Sequence, residues 1–487
     1  VEKNTATSRK PLLAMLAGPA LFVLVWFFDP FSLGPAANKV LGVAVWMITW
    51  WITEAIPMPA VALMPLVLFP LFGIAKISEA ALPYANEVVF LFMGGFMIGL
   101  GIEKWNLHRR IALSIVSLTG TGGNGIILGF ILSTGFISMW LSNTATAMMM
   151  YPIAASVISV VFAQQRDSVG ARNFALCIML AIAYASNFGG IGTIIGTPPN
   201  VAYVSFISKK FGYDIPFFSW MLVSLPVAIL LLISLYFVLI RMFPNRLVAS
   251  GEMSNLIRDE LKALGPMTAP EKRVLTIFVL TAFLWIFRDL INKIEVFRLD
   301  DNMIAVFGAL LMFIVPAGSE REPTEKILSW QDTSKMAWGI LLLFGGGITL
   351  AAALEKAGLI GMLGNWLAGF SGSSLLLLIL VIATLSIFIS EVMSNVAQVI
   401  VFAPVVTGIA AAIGADPLAL GIPMTLAASC ASMMPMGTPP NAIVFSSGHI
   451  KLKDMIKAGL VMNLISIVLI VASSYFILPY VMRLIVH

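Results

Sequence analysis

The chain has 487 residues, 59% hydrophobic and only 11% charged, with a formal net charge of +5 and a mean hydropathy of +0.98. Soluble domains carry roughly 25% charged residues, so this composition excludes a water-soluble globular protein. The basic residues fall in short loops between apolar segments, where they set orientation rather than bind nucleic acid.

From the N-terminus, a polar stretch leads into an apolar run with no small-residue cleavage site. This predicts an uncleaved first span over 11–28 rather than a signal peptide. Further spans are predicted at 37–53, 57–73, 86–105, 173–208, 216–242, 273–291, 302–317, 337–356, 418–447 and 456–482, eleven in all. Trp46, Trp50 and Trp51 read as an interfacial anchor. Two apolar stretches, 124–160 and 374–412, are too long for one span and too interrupted for two. Each is expected to be a re-entrant helical hairpin, a shape tolerated at membrane depth only where protein or water covers it. No alternating ten-residue strand pattern supports a barrel. With the N-terminus inside, 20 of the 29 Lys and Arg lie inside and nine outside. Lys209–Lys210 and Lys293 fit this topology least well. Residues 243–272 form a cytoplasmic linker, amphipathic from Ser254 to Leu264.

The chain repeats itself. Phe92-Met93-Gly94-Gly95 and Phe344-Gly345-Gly346-Gly347 stand 252 residues apart, as do Ser138 and Ser390, Ser142-Asn143 and Ser394-Asn395, and Pro152 and Pro404. Gly196-Thr197-Pro198-Pro199-Asn200 returns as Gly437-Thr438-Pro439-Pro440-Asn441 at an offset of 241, which one indel explains. Each copy holds five crossings and a hairpin, and five is odd, so the second copy enters from the opposite face. The domains are therefore a peripheral span (1–36), repeat 1 (37–242, with hairpin 124–160 and broken helix 173–208), the linker, and repeat 2 (273–482, with hairpin 374–412 and broken helix 418–447). Such inverted repeats place a binding site near the midplane.

Ser, Asn and Thr are poor residues for a helix interior but suit a hairpin tip, where they cap the returning helix. Two consecutive prolines remove two N–H donors and break a helix, freeing carbonyls for a cation. The N–H groups that open the next half-helix are expected to face an anion. Hydroxyls, amides, helix ends and bare carbonyls together suit a carboxylate with a small hard cation. No Lys or Arg lies in the motifs, so bound cations must balance the anion; sodium fits an all-oxygen site. Glu391 stands beside the second tip, opposite Met139 of the first copy, as a candidate proton or cation group. Glu103 and Glu355 mark span ends. Cys177 and Cys430 read as small core residues, and His108, His449 and His487 form no metal constellation. Paired catalytic carboxylates, His-Glu-x-x-His and Ser-His pairs are missing from the spans, so the chain is not expected to be an enzyme; a channel would need a continuous polar lining.

The doubled tips and Thr-Pro-Pro-Asn breaks, in this order and spacing, resemble the divalent anion:sodium symporters from about residue 37 to 482. The resemblance implies an all-α polytopic membrane protein that works as an elevator and a homodimer in a bacterial plasma membrane, with both hairpins and both broken helices in a moving transport domain. It implies a carrier of C4 or C5 dicarboxylates such as succinate, malate or 2-oxoglutarate, with Na+ as coupling ion and no cofactor. Sodium-independent exchange, or transport of citrate or sulfate, is the alternative. One sodium would be held by Ser138, Ser142, Asn143 and Gly196, the other by Ser390, Met393 (through its backbone), Asn395 and Gly437. Substrate would meet Asn143, Thr144, Thr197, Pro198, Asn395, Val396, Thr438 and Pro439. Val396 departs from the family's Ser-Asn-Thr tip and lacks a hydroxyl; Gln398, in the place of Thr146, is expected to offer a polar contact instead.

Overall fold

The computed structural model describes residues 9–29, 33–120, 122–164, 169–245, 251–294, 298–318, 324–359, 362 and 374–485. The chain runs through α1 (Arg9–Phe28), α2 (Pro35–Thr53), α3 (Met58–Val61), α4 (Met64–Leu71) and α5 (Ile77–Ala81). It continues through α6 (Glu87–Lys104), α7 (Leu107–Leu118), α8 (Gly123–Ser138), α9 (Asn143–Gln164), α10 (Val169–Gly190), α11 (Pro198–Phe211) and α12 (Phe217–Met242). After α13 (Gly251–Ala263) come α14 (Ala269–Asn292), α15 (Asp301–Ile314) and α16 (Trp338–Lys356). Then follow α17 (Leu375–Ser390), α18 (Asn395–Ala412), α19 (Pro417–Ala428), α20 (Pro439–Phe445), α21 (Leu452–Phe476) and α22 (Leu478–Ile485). Among the described residues the only extended pairing is the single bridge between Pro316 and Lys326.

Seven of these helices are long and apolar enough to cross a membrane, or eight if the bent pair Ile77–Ala85 and Glu87–Lys104 counts as one span; six shorter apolar helices accompany them. The predicted span 57–73 is two helices, α3 and α4, parted at Ala62 and Leu63. Helix α7 falls where no element was predicted. Arg109 and Arg110 hide its apolar face from a hydropathy window, yet Leu107, Ala112, Leu113 and Val116 are buried. The linker, described up to Asn245 and again from Gly251, contains α13, which packs on α7 and α9. Arg246 and His487 lie outside the described residues. The tryptophan reading needs correction: Trp51 is 1% exposed and its indole donates to Met58 O, while Trp46 and Trp50 crowd Gly18 of α1. They serve helix packing rather than an interface belt. Cys177 and Cys430 are buried and free.

The chain divides into two compact units. The first comprises Val1–Val89, Ala202–Tyr213 and Ala337–Ala428; the second comprises Phe90–Val201, Asp214–Met336 and Ser429–His487. Helices α8 and α9 with their tip belong to the second unit, and α17 and α18 with theirs to the first. In the second unit α8 and α10 make the closest helix pair. A Cβ on Gly189 would collide with the backbone of Gly135, so glycine at both positions lets the two backbones touch. Small residues at such crossings replace the hydrophobic drive that lipid cannot supply.

Candidate functional site

In the second unit, α8 ends at Ser138, the chain turns through Met139 to Ser142, and α9 starts at Asn143. Ser142 Oγ accepts from Ala145 N at 3.3 Å, so its side chain caps α9. Ser138 Oγ lies 2.8 Å from Asn143 Oδ1 and 2.7 Å from Ser186 O. One hydroxyl proton serves only one of these two acceptors. With its oxygen turned inward, the Asn143 carboxamide stands among Ser138 Oγ, Ser186 O and Gly196 O. With its nitrogen there instead, its two N–H donors face all three oxygens, at 2.8, 3.0 and 3.3 Å. Asn143 is 9% exposed and Ser138 fully buried. Three oxygens, Ser138 Oγ, Ser186 O and Gly196 O, thus converge on the Asn143 carboxamide, and oxygen groups of this kind are the ligands that a hard cation takes. Gly190 and Gly196 make room for it: a Cβ on Gly190 would strike the Asn143 carboxamide, and one on Gly196 would strike Gly190 O.

The outer face of Asn143 leads into a polar chain. Asn143 Nδ2 lies 3.4 Å from Asn187 Oδ1 and from Thr197 Oγ1, and Asn187 Nδ2 donates to Thr438 Oγ1 at 3.0 Å. Asn187 is fully buried and links Asn143 of the first tip to the second Thr-Pro-Pro-Asn break. Each break is held by its own asparagine in the same way: Asn200 Nδ2 donates to Thr193 O at 2.8 Å and Asn441 Nδ2 to Met434 O at 3.0 Å.

The expectation that backbone N–H groups opening α11 and α20 face an anion does not survive. Pro198-Pro199 and Pro439-Pro440 are the first two residues of these helices and have no N–H. The next donor is already used: Asn200 N bonds Thr197 O at 3.2 Å, and Asn441 N bonds Thr438 Oγ1 at 3.4 Å. Side-chain hydroxyls and amides are left as the anion donors. Thr197 and Thr438 are buried, Thr144 and Pro198 half-buried, and Pro439 exposed.

In the first unit, the second tip repeats the first. Ser390 Oγ lies 2.7 Å from Asn395 Oδ1 and 2.6 Å from Ala428 O. Asn395 and Val396 are half-buried and Met393 is 9% exposed. Gly437, expected beside them, belongs to the second unit. Glu391 caps the C-terminus of α17 and is 4% exposed. Gln398 departs from expectation: it is fully buried, and its Nε2 donates to Ser386 O at 2.9 Å and Ser386 Oγ at 2.6 Å. It ties α18 to α17 and faces away from solvent. At the equivalent places of the first copy, the hydroxyls of Thr134 and Thr146 are buried without a partner among the described residues.

Sequence reasoning missed Ser186 O, Ala428 O and Asn187. Ser186 and Ala428 stand 242 residues apart, one off the 241 offset of the breaks, and a backbone carbonyl carries no sequence signal. Among the described residues no three His, Cys, Asp or Glu side chains gather to bind a metal.

Residues 9–482 match the family described as sodium:sulfate symporter transmembrane region. The chain belongs to this family. It is a multi-pass integral membrane transporter and not an enzyme. It is 39% identical over 489 residues to the sodium-dependent dicarboxylate transporter SdcS of Staphylococcus saprophyticus, covering 99% of this chain and 94% of that one. Against SdcS of Staphylococcus aureus strain USA300 the identity is 40% over 488 residues, with the same coverage. Among solved structures, MtrF of Neisseria gonorrhoeae, described with a class of antimetabolite efflux pumps, superposes with a TM-score of 0.51 at 13% identity over 82% of each chain. That likeness concerns the fold alone.

Proposed function

We propose that this transporter carries C4 and C5 dicarboxylates of the succinate, malate and 2-oxoglutarate class across a bacterial plasma membrane, coupled to sodium. The observation that carries this reading is the convergence of Ser138 Oγ, Ser186 O and Gly196 O on the buried Asn143 carboxamide. The names of the relatives, sodium-dependent dicarboxylate transporters at about 40% identity, support the same substrate and ion.

The Asn143 amide gives coupling a physical basis. Without a cation, the inward nitrogen donates its two N–H groups into the oxygen cluster and the carbonyl points outward, where it repels a carboxylate. Sodium draws the carbonyl inward and turns Nδ2 toward Thr197 and Asn187, where it donates to the substrate. Cation binding therefore precedes anion binding, and the cation offsets a buried negative charge that would be very costly alone. Asn395, with Ser390, Met393 and Ala428 O, repeats the device for a second sodium. In the second unit Thr144, Thr197, Pro198, Thr438 and Pro439 shape the substrate contacts; in the first, Val396 stands at the tip. Both hairpins and both broken helices move together as the transport domain of an elevator in a homodimer.

Uptake of labelled succinate into proteoliposomes tests this, with and without an inward sodium gradient. Sodium-dependent, saturable uptake is expected. Asn143→Ala should reduce it by roughly tenfold or more, the loss of a hydrogen bond to a charged group. Asn143→Asp should keep sodium binding and lose succinate. Unchanged uptake by Asn143→Ala refutes the site. Counterflow against internal dicarboxylate without sodium tests the exchange alternative; citrate and sulfate as competitors test the remaining ones.

A further inference from the structure

Five of the nine basic residues that the charge count leaves outside are Lys39, Lys76, Lys209, Lys210 and Lys356. In the first unit, Lys39, Lys209 and Lys356 line one cavity of about 490 Å3, and Lys76 lines an adjoining open one that shares Lys356 and Glu79. Lys210 is accounted for by its ion pair with Glu355 at 3.3 Å. Lys356 pairs at 3.6 Å with Glu79, the only acid on the cavity wall. Lys39 Nζ donates only to the carbonyl of Phe72 at 3.2 Å, and no carboxylate reaches Lys39 or Lys209 among the described residues. The cavity therefore has positive charge in excess.

We propose that this cavity binds the phosphate of an anionic glycerophospholipid of the outer leaflet. The lysines sit where headgroups sit: Lys39 in the opening of α2, Lys209 near the end of α11 and Lys356 as the last residue of α16. Basic pockets between membrane helices bind anionic headgroups on the cytoplasmic side, and the same charge attraction to a phosphodiester operates in a pocket on the other side. The rest of the wall suits acyl chains, with Pro35, Val40, Phe69, Ile74, Pro83 and Ala352. Nearby Leu71, Ile77 and Leu82 are 69%, 55% and 72% exposed, an apolar surface that continues from the cavity into the lipid. A small soluble dianion fits less well, because the wall offers few directed donors besides the ammonium groups. The Thr349 hydroxyl is already engaged with Ala80 O and Gly345 O. The same pocket explains why lysines tolerate the disfavoured side of the membrane: a bound phosphodiester neutralises them.

Native mass spectrometry of the delipidated full chain in detergent tests the proposal, with phosphatidylglycerol and phosphatidylcholine of matched chains as probes. Phosphatidylglycerol should be retained preferentially. Lys39→Gln/Lys209→Gln/Lys356→Gln should weaken it on the order of 100-fold, from about 1 kcal/mol per lysine. The charge-retaining set Lys39→Arg/Lys209→Arg/Lys356→Arg should keep most of the preference, which separates lost charge from lost folding. Lys451→Gln/Lys453→Gln/Lys457→Gln should leave it unchanged. Equal retention of both lipids, or undiminished preference in the first variant, overturns the proposal. Displacement of the lipid by glycerol 3-phosphate or succinate would assign the pocket to a soluble anion instead and also overturn it.

Discussion

At the scale of single residues, two positions decide how the candidate site works. Gly190 touches the Asn143 carboxamide so closely that a methyl group must displace it. Gly190→Ala is expected to lower apparent sodium affinity and uptake by about tenfold, since a small misplacement of a positioned group costs a large factor. Gly122→Ala, where a Cβ meets nothing within 4 Å, should leave both unchanged. Sodium titration of uptake in the two variants checks this. Val396 is the other position. It is half-buried beside Asn395, in the place that Thr144 holds in the first copy. Val396→Thr should shift the KM ratio between succinate and 2-oxoglutarate by roughly fivefold, the worth of one hydrogen bond. An unchanged ratio would show that the third tip residue does not touch substrate.

At the scale of elements, the joint between the linker and α14 is a polar lock. Thr268 and Glu271 form a capping box at the start of α14, and Arg110 of α7 donates to both Glu271 carboxylate oxygens at 2.9 and 3.1 Å. The Glu271 side chain is only 5% exposed. Burial pushes its carboxyl up, but the bonds from Arg110 and Thr268 outweigh burial and hold it below the usual glutamate range. A lowered folded-state pKa contributes stability above the unfolded value, and that stability is lost as pH falls through the folded one. Thermal unfolding in detergent should therefore show Glu271→Gln destabilised by about 2 kcal/mol at neutral pH, the worth of a hydrogen bond to a charged group. The gap to the unsubstituted chain should close in acid below the ordinary glutamate pKa. A gap independent of pH would mean that the ion pair does not hold this joint.

At the scale of the whole molecule, the proposed elevator needs a fixed partner for the moving part to slide against, which a homodimer supplies. Native mass spectrometry should therefore find two copies in the smallest stable species. A monomer that still transports would remove that requirement. The two compact units do not follow the two repeats: each repeat contributes to both. Connectivity and compactness thus diverge: the first copy keeps its tip and its break in the second unit, whereas the second copy has its tip in the first unit and its break in the second.

Composition alone determined that the chain lives in a membrane, since no soluble fold hides this much apolar surface. The fixed offset between Ser138, Asn143 and their later copies determined the repeat, the tips and the breaks, because those features are side-chain identities written into the chain. Only the tertiary structure decided which oxygens meet. Ser186 and Ala428 contribute through backbone carbonyls, to which sequence is blind. Asn187 looked like one more polar residue in an apolar run until folding set it between Asn143 and Thr438. Gln398 and the prolines show the converse: their chemistry was plain, but direction and prior hydrogen bonds removed the contacts expected of them. The lysines followed the same rule, scattered along the chain and gathered into one cavity only by the packing of helices distant in sequence.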